Sequence, residues 1–409
     1  MPWDSGTATD HQDLLDRLIT FLTGGALVNV SGTVIPSNQV WTVLKNEENT
    51  DTGTYSNNSQ TQIGTTKELY LRGPGLGATA TIITGVSNNG SNKARFTFTA
   101  GPTLTVDQEV VLSGFTNNNY NGVYLVDTTN GTSYFDIDSI DFLATGTGSF
   151  LTNAEAIYLN IRRYTTTATL GNADNWEINA ADSFNTTLDF RLQPGSNSTS
   201  ISASEGAYCP LSSDPFNYWF VATGRYFWVV ASISGTTKVF GGGFYLPYAT
   251  PSEFPYPIFV VGNCVPGGSG VNREYDIRWS ISTNKHLNFY AHEISGVGWV
   301  RHRDGVWLPT FDAFAVNDTA ITIWPTNQTT AYGNIYNQDT PRTYTCLPYI
   351  FHSLYDLGNV YGQVENLYWV SGADQADQNI VIIDGVDHLV IQNVWRPDFN
   401  FDFAALKLE

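Results

Sequence analysis

Positive charge is what this chain has least of: 19 lysines and arginines stand against 38 aspartates and glutamates, for a formal charge of −19 over 409 residues. Proteins that bind a phosphate backbone gather Lys and Arg to displace counterions. No such cluster occurs, so direct contact with nucleic acid is not expected. The same acidity keeps a monomer soluble and slows uncontrolled association, while leaving a cationic partner surface possible. Cysteine is scarce too. Cys209, Cys264 and Cys346 lie far apart and form no CxxC pair or zinc-type cluster, which favours free thiols over one disulfide plus a spare thiol. No run of about 18 apolar residues exists, so no membrane insertion is expected. The N-terminus, MPWDSGTATDHQDLLDRL, is acidic from the start and lacks the basic region and apolar run of a signal peptide.

What is present is β-forming. Apolar residues make up 42% of the chain, enough for packed cores, and the length suits two or three compact units. Short runs of Val, Ile, Thr, Tyr, Phe and Trp alternate with Gly, Asn, Ser and Pro, the pattern of strands and tight turns. Strands are predicted over 39–44, 67–72, 94–99, 109–113, 156–164, 187–192, 226–232, 238–246, 278–282, 320–324, 380–383 and 389–394. The one strong helical pattern runs over 10–23. Thr9 or Asp10 caps it, Leu14, Leu15, Leu18, Ile19 and Leu22 recur at near-helical spacing, and Gly24-Gly25 stops it. Its apolar stripe must be buried on its own domain or on a neighbour. The expected class is mainly β, with sandwich or barrel-like domains and one N-terminal α-helix.

Three units are expected. Residues 84–149 have their own rhythm of KARFTFTA, QEVVLSG, GVYLVD and TSYFDID between Asn-rich turns, and read as a small β module. It is inserted into a hairpin of a first domain formed by 1–83 and 150–205, in which KELYLRG pairs with the strand of FLTNAEAIYLNIRRY. Residues 206–409, dense in aromatics, form the C-terminal domain.

Several strings resemble a widespread family of tailed-bacteriophage virion structural proteins, encoded among tail and baseplate genes. They are WDSGTATDHQDLLDRLITFL, KELYLRGPG, PFNYWFVATGRYFWVVASISGTTKVFGGGFYLPYATPSEFPYPIFVVG and the ending DGVDHLVIQNVWRPDFNFDFAALKLE. The 84–149 module, with VDQEVVLSGF, NNYNGVYLVD and GTGSF, is similar to a small β domain of phage appendage proteins. The resemblance implies a non-enzymatic subunit of the virion tail, at the baseplate or collar, assembled in the bacterial host cytoplasm. Its expected partners are other virion structural proteins and further copies of itself in a symmetric oligomer. Two other readings stay open. One is an outward-facing receptor-binding or capsid-decoration protein that engages a host surface glycan or protein; the other is a polysaccharide depolymerase.

Candidate chemistry is thin. His286, His292, Glu293 and His302 crowd a short span in which a metal site competes with histidines at strand ends. Asp136, Asp138 and Asp141 could offer oxygens to calcium, but they lack the EF-hand glycine and terminal glutamate, and solvated charges on an edge strand are preferred. Asp374, Asp377, Asp384 and Asp387 supply carboxylates for sugar cleavage, although Asp384-Gly385 fits a hairpin turn better. No GxSxG elbow occurs. Gly241–Gly243 and the PGGSG run at Pro266 read as bulges or loops. Arg162-Arg163, and Arg301 with Arg303, either anchor an acidic partner strip or form solvated ion pairs. No catalytic, cofactor-binding or metal-ligating residue is assigned. Pro247, Pro251, Pro255 and Pro257 exclude a central strand and hold an aromatic loop that covers the core or docks a partner. The interface candidates are therefore Leu14, Leu15, Leu18 and Phe21 of the helix, and Tyr248, Phe254, Tyr256 and Phe259 of the loop. A helix anchor predicts that the chain without residues 1–23 folds but fails to enter particles.

Overall fold

The structure is a computed structural model. It describes residues 2–25, 31–32, 35, 39–51, 54–55, 60–61, 64–75, 81–106, 109–120, 122–152, 156–164, 174–197, 206–233, 235–248, 257–263, 298–301, 305–311, 321–324, 346–352, 360–370, 375–392 and 403–408. The chain is mainly β, and among these residues there is one α-helix. The expected strand 278–282 lies outside them.

Among the described residues, a large sheet of 15 strands draws on both ends of the chain. It starts from Ser31–Gly32 and Trp3–Ala8, continues through Phe216–Ala222, Tyr226–Ile233, Thr236–Phe244 and Ile258–Val261, and ends on Phe403–Lys407, Val386–Gln392 and Ile380–Ile383. A five-stranded sheet is ordered Ala207–Leu211, Asp174–Ala181, Ile157–Tyr164, Gly64–Gly73, Thr42–Asp51, all antiparallel.

The central strand Tyr226–Ile233 shows how the layers stack. Its side chains alternate between two cores: Phe227, Val229, Ala231 and Ile233 enter one, Tyr226, Trp228 and Val230 the other. The first core also contains Leu69, Leu71, Leu159, Ile161, Trp176 and Ile178 of the five-stranded sheet, together with the helix. The second contains Phe351, Trp369, Leu389, Ile391 and Leu406 from the far end of the large sheet, which therefore folds back over its own beginning. A strand covered on both faces needs a continuous apolar run, and YFWVVASI is one.

Strand pairing crosses the boundary expected at residue 206. Trp3–Ala8 pairs with Phe216–Ala222, Asp174–Ala181 pairs with Ala207–Leu211, and one core joins residues from Ala8 to Val260. The first and last of the expected units thus share their largest core. Residues 81–152 are different. Their seven strands are ordered Gly122–Leu125, Glu109–Ser113, Gly148–Thr152, Thr81–Asn88, Lys93–Phe98, Tyr134–Asp141, Thr128–Thr129, and every member of their core lies between Ile83 and Phe150. The unit sits between Gly64–Gly73 and Ile157–Tyr164, which pair with each other.

Two local readings need correction, and one strand is absent from those expected. Residues 187–192 form turns, not a strand. Their backbone is satisfied by side chains: Gln193 Nε2 donates to the carbonyls of Asn185, Leu188 and Asp189, and Asp189 accepts from the Arg191 amide, so no ladder is needed. Trp3–Ala8 is a strand although Ser5 and Gly6 are weak strand formers, because neighbours on both sides supply its hydrogen bonds. Gly241–Gly243 lie within Thr236–Phe244, in unbroken register with both neighbours. A Cβ on Gly241 would fall 2.1 Å from the Phe227 carbonyl oxygen, and one on Gly243 would fall 2.1 Å from Tyr226 Cβ. The glycines let three strands approach closely.

Candidate interaction surfaces and the enclosed polar face

The helix, His11–Leu22, begins where Asp10 accepts hydrogen bonds from the amides of Gln12 and Asp13, while Asp13 accepts in return from the Thr9 amide at 2.9 Å. This fixes Leu14, Leu15, Leu18 and Phe21 toward the chain's own core, all at 3% exposure or less, with Phe21 stacked on Phe220 at 5.7 Å. Those four residues are therefore structural here and offer no free docking face. Removing residues 1–23 would strip a sheet strand and uncover this core, so a folded truncated protein is no longer expected.

Of the loop candidates, Phe259 is 1% exposed between the layers, against Phe351. Tyr248 is 54% exposed, and its hydroxyl donates to Gln363 Oε1 at 2.9 Å. Leu246–Pro247 pairs with Val360–Val370, so the start of the proline-rich segment joins a sheet. Phe254 and Tyr256 lie outside the described residues, as do Cys264, the PGGSG run, His286, His292, Glu293, His302, Arg303 and Asp374.

The expected clusters resolve into ion pairs and turns. Asp136 is buried, not solvated: Arg95 binds it with two hydrogen bonds at 2.7 and 2.8 Å and lies over the Tyr134 ring. Asp141 pairs with Lys93, and Asp127 accepts from the Asp138 amide. Asp384, at φ 52°, and Gly385, at φ 80°, form the two-residue turn between Ile380–Ile383 and Val386–Gln392. Asp377 accepts from Thr237 and from the Gln392 amide, which ties the interior strand Thr236–Phe244 to the far end of the large sheet, and burial raises its pKa. Among the described residues no group of three or more His, Cys, Asp and Glu side chains could hold a metal ion. Cys346 is a free thiol, and burial pushes it up to about 11.

The largest feature that the sequence does not announce is the outer face of the five-stranded sheet. Its inner face is apolar. Its outer face carries Glu68, Tyr70, Arg72, Asn160, Arg162, Glu177, Asn179 and Tyr208, yet none is more than 7% exposed. Residues 182–197 cover it as a strap. Arg191 of the strap meets Glu177 through two 2.8 Å hydrogen bonds and reaches the Tyr208 hydroxyl at 2.8 Å. Arg162 binds Glu68 at 2.6 Å and lies over the Phe190 ring, while Tyr70 donates to Glu68 at 2.9 Å. Burial and the Glu68 charge raise the Tyr70 pKa strongly. Asn197 closes the network on Asn179 and on the Ala180 amide. Such a face holds the strap by hydrogen-bonded charges, which remain favourable in the interior only because they are mutually satisfied. Arg162 is thus an interior group of this network, and Arg163, on the other face of its strand, is buried within 3.8 Å of Glu48.

The sheet edges differ in what they show to solvent. Thr42–Asp51 carries Lys45, Glu47 and Glu48, which discourage pairing with another chain, whereas on Ala207–Leu211 the residues Ala207, Tyr208, Cys209 and Leu211 are buried and the Tyr208 carbonyl accepts from the Asn263 amide. Ile380–Ile383, the terminal strand of the large sheet, has no charge, and Ile380 and Ile382 are 50% and 71% exposed. No family model matches the chain, and no curated protein matches it.

Proposed function

We propose that the chain is a structural subunit of a tailed-phage virion, placed in the tail at the baseplate or collar, and that it acts by protein–protein assembly, not by catalysis. One observation carries this reading. Over their described residues, three of the four strings that resemble phage structural proteins coincide with the large sheet and its helix: Trp3–Ala8 and the helix, the strands from Phe216 to Val261, and the closing strands Val386–Gln392 and Phe403–Lys407. A body stiffened by two apolar cores and a strapped polar face suits a subunit that must hold its shape within a particle. The open apolar edge at Ile380–Ile383 is a surface for contact with other virion proteins or with further copies. Mass spectrometry of purified particles is expected to detect the chain in stoichiometric amount. Its absence from intact particles would refute the assignment.

A second reading rests on the 81–152 unit, whose core is entirely its own. An independent module can serve as an outward-facing receptor-binding or decoration element. Binding of the isolated module to host cells or surface glycan, with none by the remainder of the chain, is the outcome that would favour it.

A further inference from the structure

The strand Trp3–Ala8 carries an acid on its apolar face. Side chains alternate along a strand, so Asp4, Gly6 and Ala8 share the side that the helix covers, opposite Phe220, Tyr218 and Phe216 of the neighbouring strand. Ala8, Phe216, Tyr218 and Phe220 belong to the core there, and Asp4 is only 4% exposed. The Tyr218 hydroxyl donates to Asp4 Oδ2 at 3.2 Å. A Cβ on Gly6 would stand 3.0 Å from that hydroxyl, so the bare glycine leaves room for the contact.

Among the described residues the charged groups around Asp4 are few. From the helix, Arg17 reaches over the Tyr218 ring at 5.8 Å, but its guanidinium is held by Asp13 at 2.8 Å. Asp16 faces outward to Lys67 at 2.7 Å. The neighbouring strand contributes Tyr218, and Ser31–Gly32 contributes no titratable group. Among the described residues, Asp4 is therefore an acid on an apolar face whose nearest cation is already paired.

We propose that the N-terminal strand is a proton-operated latch, clamped onto the sheet when Asp4 is protonated and loosened when it ionises. Ionisation places a charge in the core that opening would return to water. Opening would release six ladder positions and bare the edge of Phe216–Ala222.

The sign is fixed by the direction of the shift. Burial raises Asp4 from 3.8 to about 6, opposed by the Tyr218 hydrogen bond and the Arg17 charge. The closed strand then binds the proton more tightly than the open one, and its stability falls as pH rises from the ordinary carboxylate range through about 6.

The test is hydrogen exchange by mass spectrometry on the full-length chain, read in peptides covering residues 2–9 and corrected for intrinsic exchange, at about pH 5 and about pH 7.5. Opening is expected to be on the order of tenfold more frequent at the higher pH. Asp4→Asn keeps an acceptor for Tyr218 and should abolish that difference. Tyr218→Phe, which removes a donor to the charged form, should move the transition to higher pH. Equal protection of the wild-type strand at both pH values would overturn the latch, and so would an undiminished pH dependence in Asp4→Asn.

Discussion

Trp176 and Glu177 are adjacent in sequence, both 0% exposed, and buried for opposite reasons. Trp176 points into the apolar core, edge-on to Phe240 at 5.9 Å. Glu177 points to the other face of the same strand, where Arg191 of the strap binds both its oxygens. One face of the sheet is closed by shape and apolar area, which tolerates no loss of volume. The other is closed by complementary charge, which tolerates the loss of both partners better than the loss of one. Burial alone therefore does not say how a site responds to substitution; the partner does.

Substitution can break this contrast. Trp176→Ala leaves a cavity that no second change nearby refills, and it should lower the unfolding free energy by about 3–5 kcal/mol, measured by urea denaturation. Arg191→Met strands the Glu177 carboxylate in the interior and should cost about 3 kcal/mol. Combining it with Glu177→Leu should recover most of that loss, because the pair is replaced by apolar contact and no charge is left alone. If the double variant were as unstable as the sum of its singles, the strap would be held by something other than this ion pair. The single variant should also raise proteolytic cleavage within 182–197 before global unfolding, since the strap opens first.

The two faces differ equally in how far the sequence revealed them. The inner face follows from period-2 alternation: Leu69 and Leu71, Leu159 and Ile161, Trp176 and Ile178 are apolar at every second position. The same alternation gives Glu68, Tyr70, Arg162, Glu177 and Asn179 the appearance of a solvated face. Nothing local shows that 182–197 returns to cover them, because the contacts are long-range and polar. The helix bounds and the Asp384-Gly385 hairpin are legible because each is set by neighbouring residues, and the pairing of KELYLRG with the strand after the module because the two flank a unit with its own core. The strand Trp3–Ala8 is not, since its partner lies more than 200 residues away. The helix stripe was readable as apolar, but whether it covered its own domain or a neighbour depended on that same distant strand.

Smaller effects sharpen the comparison at the end of the large sheet. Gly385 has φ 80° in a two-residue turn, and Gly385→Ala should cost about 1–2 kcal/mol by placing a Cβ in the left-handed region. At Ile382, only two residues before that turn begins, the expected effect on folding is nearly nil. Its side chain is 71% exposed, so Ile382→Thr keeps the β-branched backbone preference and should change the unfolding free energy by no more than about 0.5 kcal/mol. Assembly is a separate readout. If the terminal strand is a contact surface in the particle, Ile382→Thr should reduce incorporation when it competes with wild-type chain during infection, while its thermal midpoint stays unchanged. Equal incorporation would leave the edge as ordinary surface and move the search for the assembly contact elsewhere. Exposure at Ile382 predicts indifference to folding for the reason that burial at Trp176 predicts sensitivity: only groups that lose solvent in the folded chain carry its stability.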